Sequence, residues 1–315
     1  MRTAFSRALI DLARADPSVL LLTGDHGYAL FDEYRRCVPG QYVNAGVAEQ
    51  NMVSMAAGLA RVGFRPFVYA LAAFVPVRTV EQIKLDITHD SLPVVLVGDG
   101  AGLVYSHLGP SHQSAEDVAC TRALPGLTIL SPADRFEMSA CMAHAGTTRG
   151  PVYLRMGKAD RGDVHPGAIG PLHAGHLLRV REGRADRPGL VATGSMVTTA
   201  LGVAGVLDLS AWSAPVLKPL SVADVCAAAS ASTGLVTLEE HSVLGGLGAA
   251  VAEMTAEHQP TRVLRIGVPD RFSRRCGSHE YLLREHGLDA DTVCSRVAAF
   301  MALTKRADPI RPPLP

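Results

Sequence analysis

Between residues 3 and 155 the chain repeats one unit: apolar residues at helical spacing, then a short run rich in Val and Leu. Residues 3–15 (Phe5, Ala8, Leu9, Leu12) lead into the run 19–22, and 48–61 into 65–69; 77–88, 115–123 and 135–145 lead into 94–97, 128–130 and 152–155. Short apolar runs separated by helices predict a parallel sheet covered on both faces, because each parallel crossover must carry the chain back over the sheet. Side chains that do chemistry are then expected where loops converge at the C-terminal ends of the strands. The alternation stops over 161–188, where Pro166, Pro171, Pro188 and several glycines predict a surface linker. It resumes more sparsely, with strands expected at 190–192, 216–217, 235–237 and 263–266 and helices at 197–207, 222–229, 246–257 and 291–303. The expected architecture is α/β throughout, with a first domain over 1–160, a smaller α/β domain over 189–307, and a disordered tail over 308–315 that holds four prolines.

A chain of 315 residues, 48% of them hydrophobic, can fill two cores of ordinary size. Lys+Arg and Asp+Glu both number 30, so no global field gathers nucleic acid or an anionic membrane, and neither is expected as a partner. No apolar run is long enough to span a bilayer. The six cysteines (Cys37, Cys120, Cys141, Cys226, Cys276, Cys294) are scattered without a Cys-x-x-Cys or a secretory leader, which predicts reduced thiols and a cytoplasmic setting.

Residues 44–52, Asn-Ala-Gly-Val-Ala-Glu-Gln-Asn-Met, place Gly46 just after a short apolar run and Glu49 in the first turn of the helix expected over 48–61. On position alone Glu49 reads as an ordinary first-turn acid favoured by the helix dipole, while a carboxyl partly buried among apolar groups is a candidate proton donor. The stretch from Gly46 to Met52, followed by Ala-Ala-Gly-Leu-Ala, resembles the pyrimidine-binding motif of the transketolase family. In that family the matching glutamate hydrogen-bonds N1′ of the thiamine diphosphate aminopyrimidine. The resemblance implies that Glu49 protonates N1′, so that the 4′ nitrogen becomes basic enough to remove the C2 proton.

Three further stretches extend the resemblance. Residues 66–74 (Pro-Phe-Val-Tyr-Ala-Leu-Ala-Ala-Phe) resemble the segment whose aromatic rings hold the aminopyrimidine, with Phe74 at the ring position and Leu71 and Val77 where the family often has further aromatics. Glu49, Phe74, Leu71 and Gly46 form the implied cofactor side. Residues 102–117 resemble the substrate loop, with His112 in a Gly-Pro-Ser-His context implied to face the donor's reacting oxygens; Glu116 and Asp117 read as capping the helix that follows. Classical transketolases place an aspartate four residues before that histidine to recognise a sugar hydroxyl. Here stands Leu108, which cannot accept that bond, and the sequence leaves open whether the adjacent His107 shares the task. Residues 151–158 (Pro-Val-Tyr-Leu-Arg-Met-Gly-Lys) resemble the strand end that anchors substrate phosphate, implying Arg155 as anchor and Lys158 as a weaker second; Arg2 aligns loosely with another phosphate-side arginine and, as residue two, is expected to fray.

In the second half, residues 236–248 resemble the transketolase C-terminal-domain signature, and Glu240-His241 within it are expected to serve domain packing or dimerisation rather than acid–base chemistry, since neighbours on a strand point to opposite faces. The family's metal motif begins Gly-Asp-Gly and needs an asparagine roughly thirty residues later. Gly98-Asp99-Gly100 has no such sequel, because the only asparagines are Asn44 and Asn51. The resemblance therefore implies the pyrimidine-binding and C-terminal half of a split transketolase that transfers a ketol unit between sugar phosphates. A separately encoded N-terminal subunit would hold Mg2+ and the diphosphate, in an α2β2 heterotetramer, and no metal ligand is assigned to this chain. The alternatives are the beta subunit of a 2-oxo-acid dehydrogenase decarboxylase, a deoxyxylulose phosphate synthase-like enzyme, and a non-enzymatic interaction module.

Overall fold

A computed structural model describes residues 1–157, 161–173 and 175–305; Lys158 and the tail 308–315 lie outside the described residues. The first six strands are β1 (Val19–Thr23), β2 (Tyr42–Asn44), β3 (Arg65–Leu71), β4 (Val95–Asp99), β5 (Thr128–Leu130) and β6 (Val152–Met156). The rest are β7 (Leu178–Arg181), β8 (Gly189–Ala192), β9 (Ala211–Ser213), β10 (Val216–Lys218), β11 (Leu235–Ser242) and β12 (Val263–Val268). The first sheet runs β10-β5-β6-β4-β3-β1-β2, parallel except for β10, and the second runs β12-β11-β8-β9-β7, parallel except for β7.

Alternation along β3 shows how the central strands are buried on both faces. Phe67 and Tyr69 pack with Phe5, Leu9 and Phe31 on one side, while Val68 and Ala70 join the core that holds Met52, Val53 and Ala56 of helix Glu49–Arg61 on the other. That second core continues past Val118, Leu127 and Ile129 to Trp212, Val225 and Val251, so the two sheets share an apolar layer.

Three expectations change. The run at 216–217 is expected in the second domain, but β10 pairs antiparallel with β5 and closes the edge of the first sheet. The stretch expected as a linker contains β7, whose Leu-Arg-Val-Arg alternation suits an edge strand with one wet face. The single helix expected over 77–88 is three pieces: a 3-10 turn Val77–Thr79, a short α turn Val80–Gln82, and a π-helical stretch Ile83–Thr88. Helices Asp32–Cys37 and His279–His286 come in addition to those that periodicity predicts. No helix among the described residues is long and apolar enough to cross a membrane, and all six cysteines are free.

Candidate active site

Parallel strands bring their C-terminal ends to one edge, and the candidate residues gather there. Asn44, at the end of β2, accepts the backbone N–H of Asp25 (3.1 Å) and of Gly46 (3.0 Å) through Oδ1, tying the ends of β1 and β2 together. Gly46 then turns at φ +74°, a conformation that favours glycine, and delivers the chain into helix Glu49–Arg61. A side chain at Gly24 would meet the Gly46 carbonyl oxygen at 3.2 Å, so the turn is also closely packed. Glu49 is 5% exposed at the head of its helix, and Leu71 is buried at the end of β3.

Glu49 and Phe74 are joined by a residue that the sequence reading missed. Arg78 donates from Nη1 to Glu49 Oε2 at 2.9 Å, while its Cζ lies 4.1 Å from the centroid of the Phe74 ring. The backbone explains the placement: Arg78 N–H donates to the Phe74 carbonyl at 3.0 Å, so the side chain rises one turn after Phe74 and folds back over the ring. The Phe-to-Arg spacing of four was the available signal. His112 approaches Phe74 edge-on, with ring centroids 5.4 Å apart, and its Nδ1 lies 2.9 Å from Ser111 Oγ. Glu49, Arg78, Phe74 and His112 are thus one contiguous set.

The loop that presents His112 is fixed from below. Gly102 and Ser114 exchange backbone hydrogen bonds, Leu103 N–H donates to Glu240 Oε1 at 2.7 Å, and Gln113 Oε1 accepts from Ser273 Oγ at 2.8 Å. His107 and Leu108 are the exposed residues of the 3-10 turn Ser106–Leu108, whose Ser106 is buried, and Leu108 is 46% exposed.

Arg155 ends in a buried network. It is 5% exposed, donates from Nε to Asp117 Oδ2 at 2.8 Å, and spends Nη2 on the carbonyls of Glu240 (2.8 Å) and Ser114 (3.4 Å). So engaged, the guanidinium links β6 to the helix that begins at Asp117 and to β11. Asp117, expected to cap its helix, is fully buried and also accepts from Tyr153 OH at 2.7 Å. Burial works against the Arg155 cation, and Asp117, Tyr153 and Glu240 together more than offset it.

Glu240 and His241 do serve packing. Both are buried: Glu240 Oε1 lies 2.8 Å from His279 Nε2, and His241 Nε2 accepts the Ala119 N–H at 3.2 Å. Neighbouring Glu239 caps helix Leu247–His258 by accepting two backbone N–H groups, and burial lifts its pKa to about 7.

Asp99, at the end of β4, faces away from Glu49, into the layer of helix Arg2–Ala15. Its carboxylate lies 3.8 Å from Arg2 Nε and 3.7 Å from His26 Nε2 and accepts from Tyr105 OH at 3.2 Å. Burial opposes its ionisation, but His26, Arg2 and Tyr69 together hold it below the usual carboxylate range. Arg2 is therefore half-buried and paired, not frayed. Among the described residues no group of three or more His, Cys, Asp or Glu could hold a metal ion.

Residues 1–162 match the family model of the transketolase pyrimidine binding domain, and residues 175–293 match that of the transketolase C-terminal domain. The second match includes β7, in keeping with its place in the second sheet. The chain is similar to one of the subunits of the apulose-4-phosphate transketolase of Phocaeicola vulgatus, 32% identical over 311 residues that cover 95% of this chain and 97% of that one. It is 35% identical to 1-deoxy-D-xylulose-5-phosphate synthase of Chlorobium luteolum, covering 94% of this chain but 48% of the synthase. A solved split gene transketolase, an inactive beta4 tetramer, superposes with a TM-score of 0.86 at 32% identity, covering 96% of this chain and 98% of that chain.

Proposed function

Because the chain belongs to the transketolase family, we propose that it is the pyrimidine-binding and C-terminal subunit of a split transketolase, moving a two-carbon ketol unit between sugar phosphates once a separately encoded subunit completes the site. The reading draws support from its near end-to-end match to a transketolase subunit and its half-length match to the synthase. Mg2+ and the diphosphate are assigned to the partner, in an α2β2 assembly. The inactive beta4 tetramer of the related split enzyme is consistent with a β-type chain that needs its partner.

The observation that carries this proposal is the adjacency of an acid and an aromatic face, bridged by a planar N–H donor that stacks on Phe74 and bonds Glu49. Two contacts of that kind are what an aminopyrimidine needs, so the residues fit thiamine diphosphate at its pyrimidine end. When bound, that cofactor supplies the carbon nucleophile that accepts the ketol unit. Glu49 then holds a proton at N1′, Phe74 fixes the plane of the ring, and His112, beside Phe74, orients a hydroxyl of the sugar. Arg155 takes no part in binding phosphate under this scheme. Leu108, on the exposed face of the loop, leaves one sugar hydroxyl without a carboxylate acceptor, so the preferred sugars differ from the usual transketolase substrates.

Glu49→Gln in the assembled complex is the test. It keeps size and burial but removes the proton, and hydrogen–deuterium exchange at C2 of the bound cofactor is expected to slow by roughly 10²–10⁴-fold. Near-normal exchange with the complex intact would refute the assignment. Turnover of branched or simple 2-oxo acids in preference to ketose phosphates would favour the 2-oxo-acid decarboxylase alternative.

A further inference from the structure

We infer that Arg78 holds the place of the aminopyrimidine while the site is empty, and that the cofactor seats only by displacing it from Glu49 and Phe74. The inference rests on the pyrimidine-site reading above and adds to it a competing internal group. A guanidinium is planar, stacks on aromatic faces and donates N–H groups in its own plane. In this chain it does both at once, 2.9 Å from Glu49 Oε2 and 4.1 Å from the Phe74 centroid. A ring that stacks on Phe74 while reaching Glu49 has to lie between them, which is the volume Arg78 fills.

The surroundings let Arg78 leave. Its side chain is 48% exposed, whereas that of Glu49 is 6% exposed, so the cation has water to move into and the carboxyl stays in place. Its backbone is held independently of the guanidinium, with its N–H on the Phe74 carbonyl and its own carbonyl accepting from Gln50 Nε2 at 3.5 Å. Swinging the side chain away therefore does not require the turn Val77–Thr79 to refold. In the empty site the guanidinium keeps the buried acid partnered and the ring face covered. Occupancy of the site then depends on a competition that the cofactor has to win.

The experiment compares wild type with Arg78→Met and Arg78→Lys in the complex with the partner subunit, titrating thiamine diphosphate by isothermal calorimetry at fixed Mg2+. Methionine keeps the aliphatic stem but removes both contacts, and the dissociation constant is expected to fall by roughly tenfold, the scale of one exposed ion pair plus one cation–π contact. Lysine keeps the charge but loses the stacked plane and is expected to fall in between. Weaker binding in Arg78→Met would overturn the inference, because Arg78 would then grip the cofactor rather than stand in for it. An unchanged constant would overturn it as well. Phe74→Ala separates this from failure of the site itself: it is expected to weaken binding, and no change there would sink the pyrimidine-site reading together with the inference. A holo structure with Arg78 still on Glu49 would also refute displacement.

Discussion

Replacing Arg155 with methionine removes the guanidinium while keeping much of the side chain's volume, and it asks whether this residue clamps the domains or grips substrate. Asp117 would be left fully buried with Tyr153 OH as its remaining close donor, and the Glu240 carbonyl would lose its Arg155 donor while the Ser114 carbonyl keeps the Gly102 N–H. Breaking a buried pair by removing one partner costs about 3–5 kcal/mol, because an uncompensated charge remains. The loss should be visible by domain. Trp212 is the only tryptophan, belongs to β9 and packs in the apolar layer that the two sheets share, so denaturant unfolding followed by its fluorescence reports the second domain and its contact with the first, while far-UV circular dichroism reports the helices and strands of both. The wild type is expected to give coincident transitions; the variant should unfold earlier, with the two probes separating. The double change Asp117→Asn with Arg155→Met removes the stranded charge and should recover more than half of the loss. Destabilisation under about 1 kcal/mol, together with a KM for phosphorylated sugar raised more than tenfold, would refute the clamp and restore the phosphate role.

Other measurements follow from the same geometry. His241 is held neutral, with Nδ1 donating to the Ser242 carbonyl at 2.8 Å and Nε2 accepting from Ala119, and burial presses its pKa from 6.5 down to about 4. A depressed folded-state value gives stability that is full above pH 6.5 and lost as pH falls through 4, so His241→Asn should flatten the acid limb by roughly 3 kcal/mol in chemical denaturation over that window. Glu239 works in the opposite sense: its raised value gives stability that is full below 4.5 and lost as pH rises through about 7. Leu108→Asp places a carboxylate on the substrate loop and is expected to shift relative kcat/KM across a panel of ketose phosphates by roughly fivefold, or about 1 kcal/mol; unchanged ratios would show that this position does not set specificity.

The central strands were legible because parallel strands buried on both faces read as uninterrupted apolar runs, and β1, β3, β4 and β6 are of that kind. The edges were not. Nothing local in Val216–Lys218 tells which sheet it joins, since its pairing with β5 depends on how the domains meet. The stretch over 77–88 has helical periodicity, but periodicity cannot see a hydrogen-bond ladder that slips by a residue, as between His89 N–H and the Lys84 carbonyl. Motif context singles out Glu49, Phe74 and His112, which the fold brings together, whereas the contacts of Asp117, Arg155 and Glu240 join pairs 38 and 85 residues apart that leave no local trace.

Arg78 and Arg155 are the same residue type beside the same kind of carboxylate, and what divides their roles is water. Arg155 is 5% exposed and faces an Asp117 with no exposure, so separating them strands charge in a low-dielectric interior. Arg78 is 48% exposed, and a cation that is already half solvated gives up its partner for little. The buried carboxyl left behind at Glu49 then sets the demand: it has to be met by another planar donor that can also cover the Phe74 ring. On the proposed reading such a site is selective, because a small cation alone cannot restore the stacked face and an apolar ring alone cannot satisfy the acid.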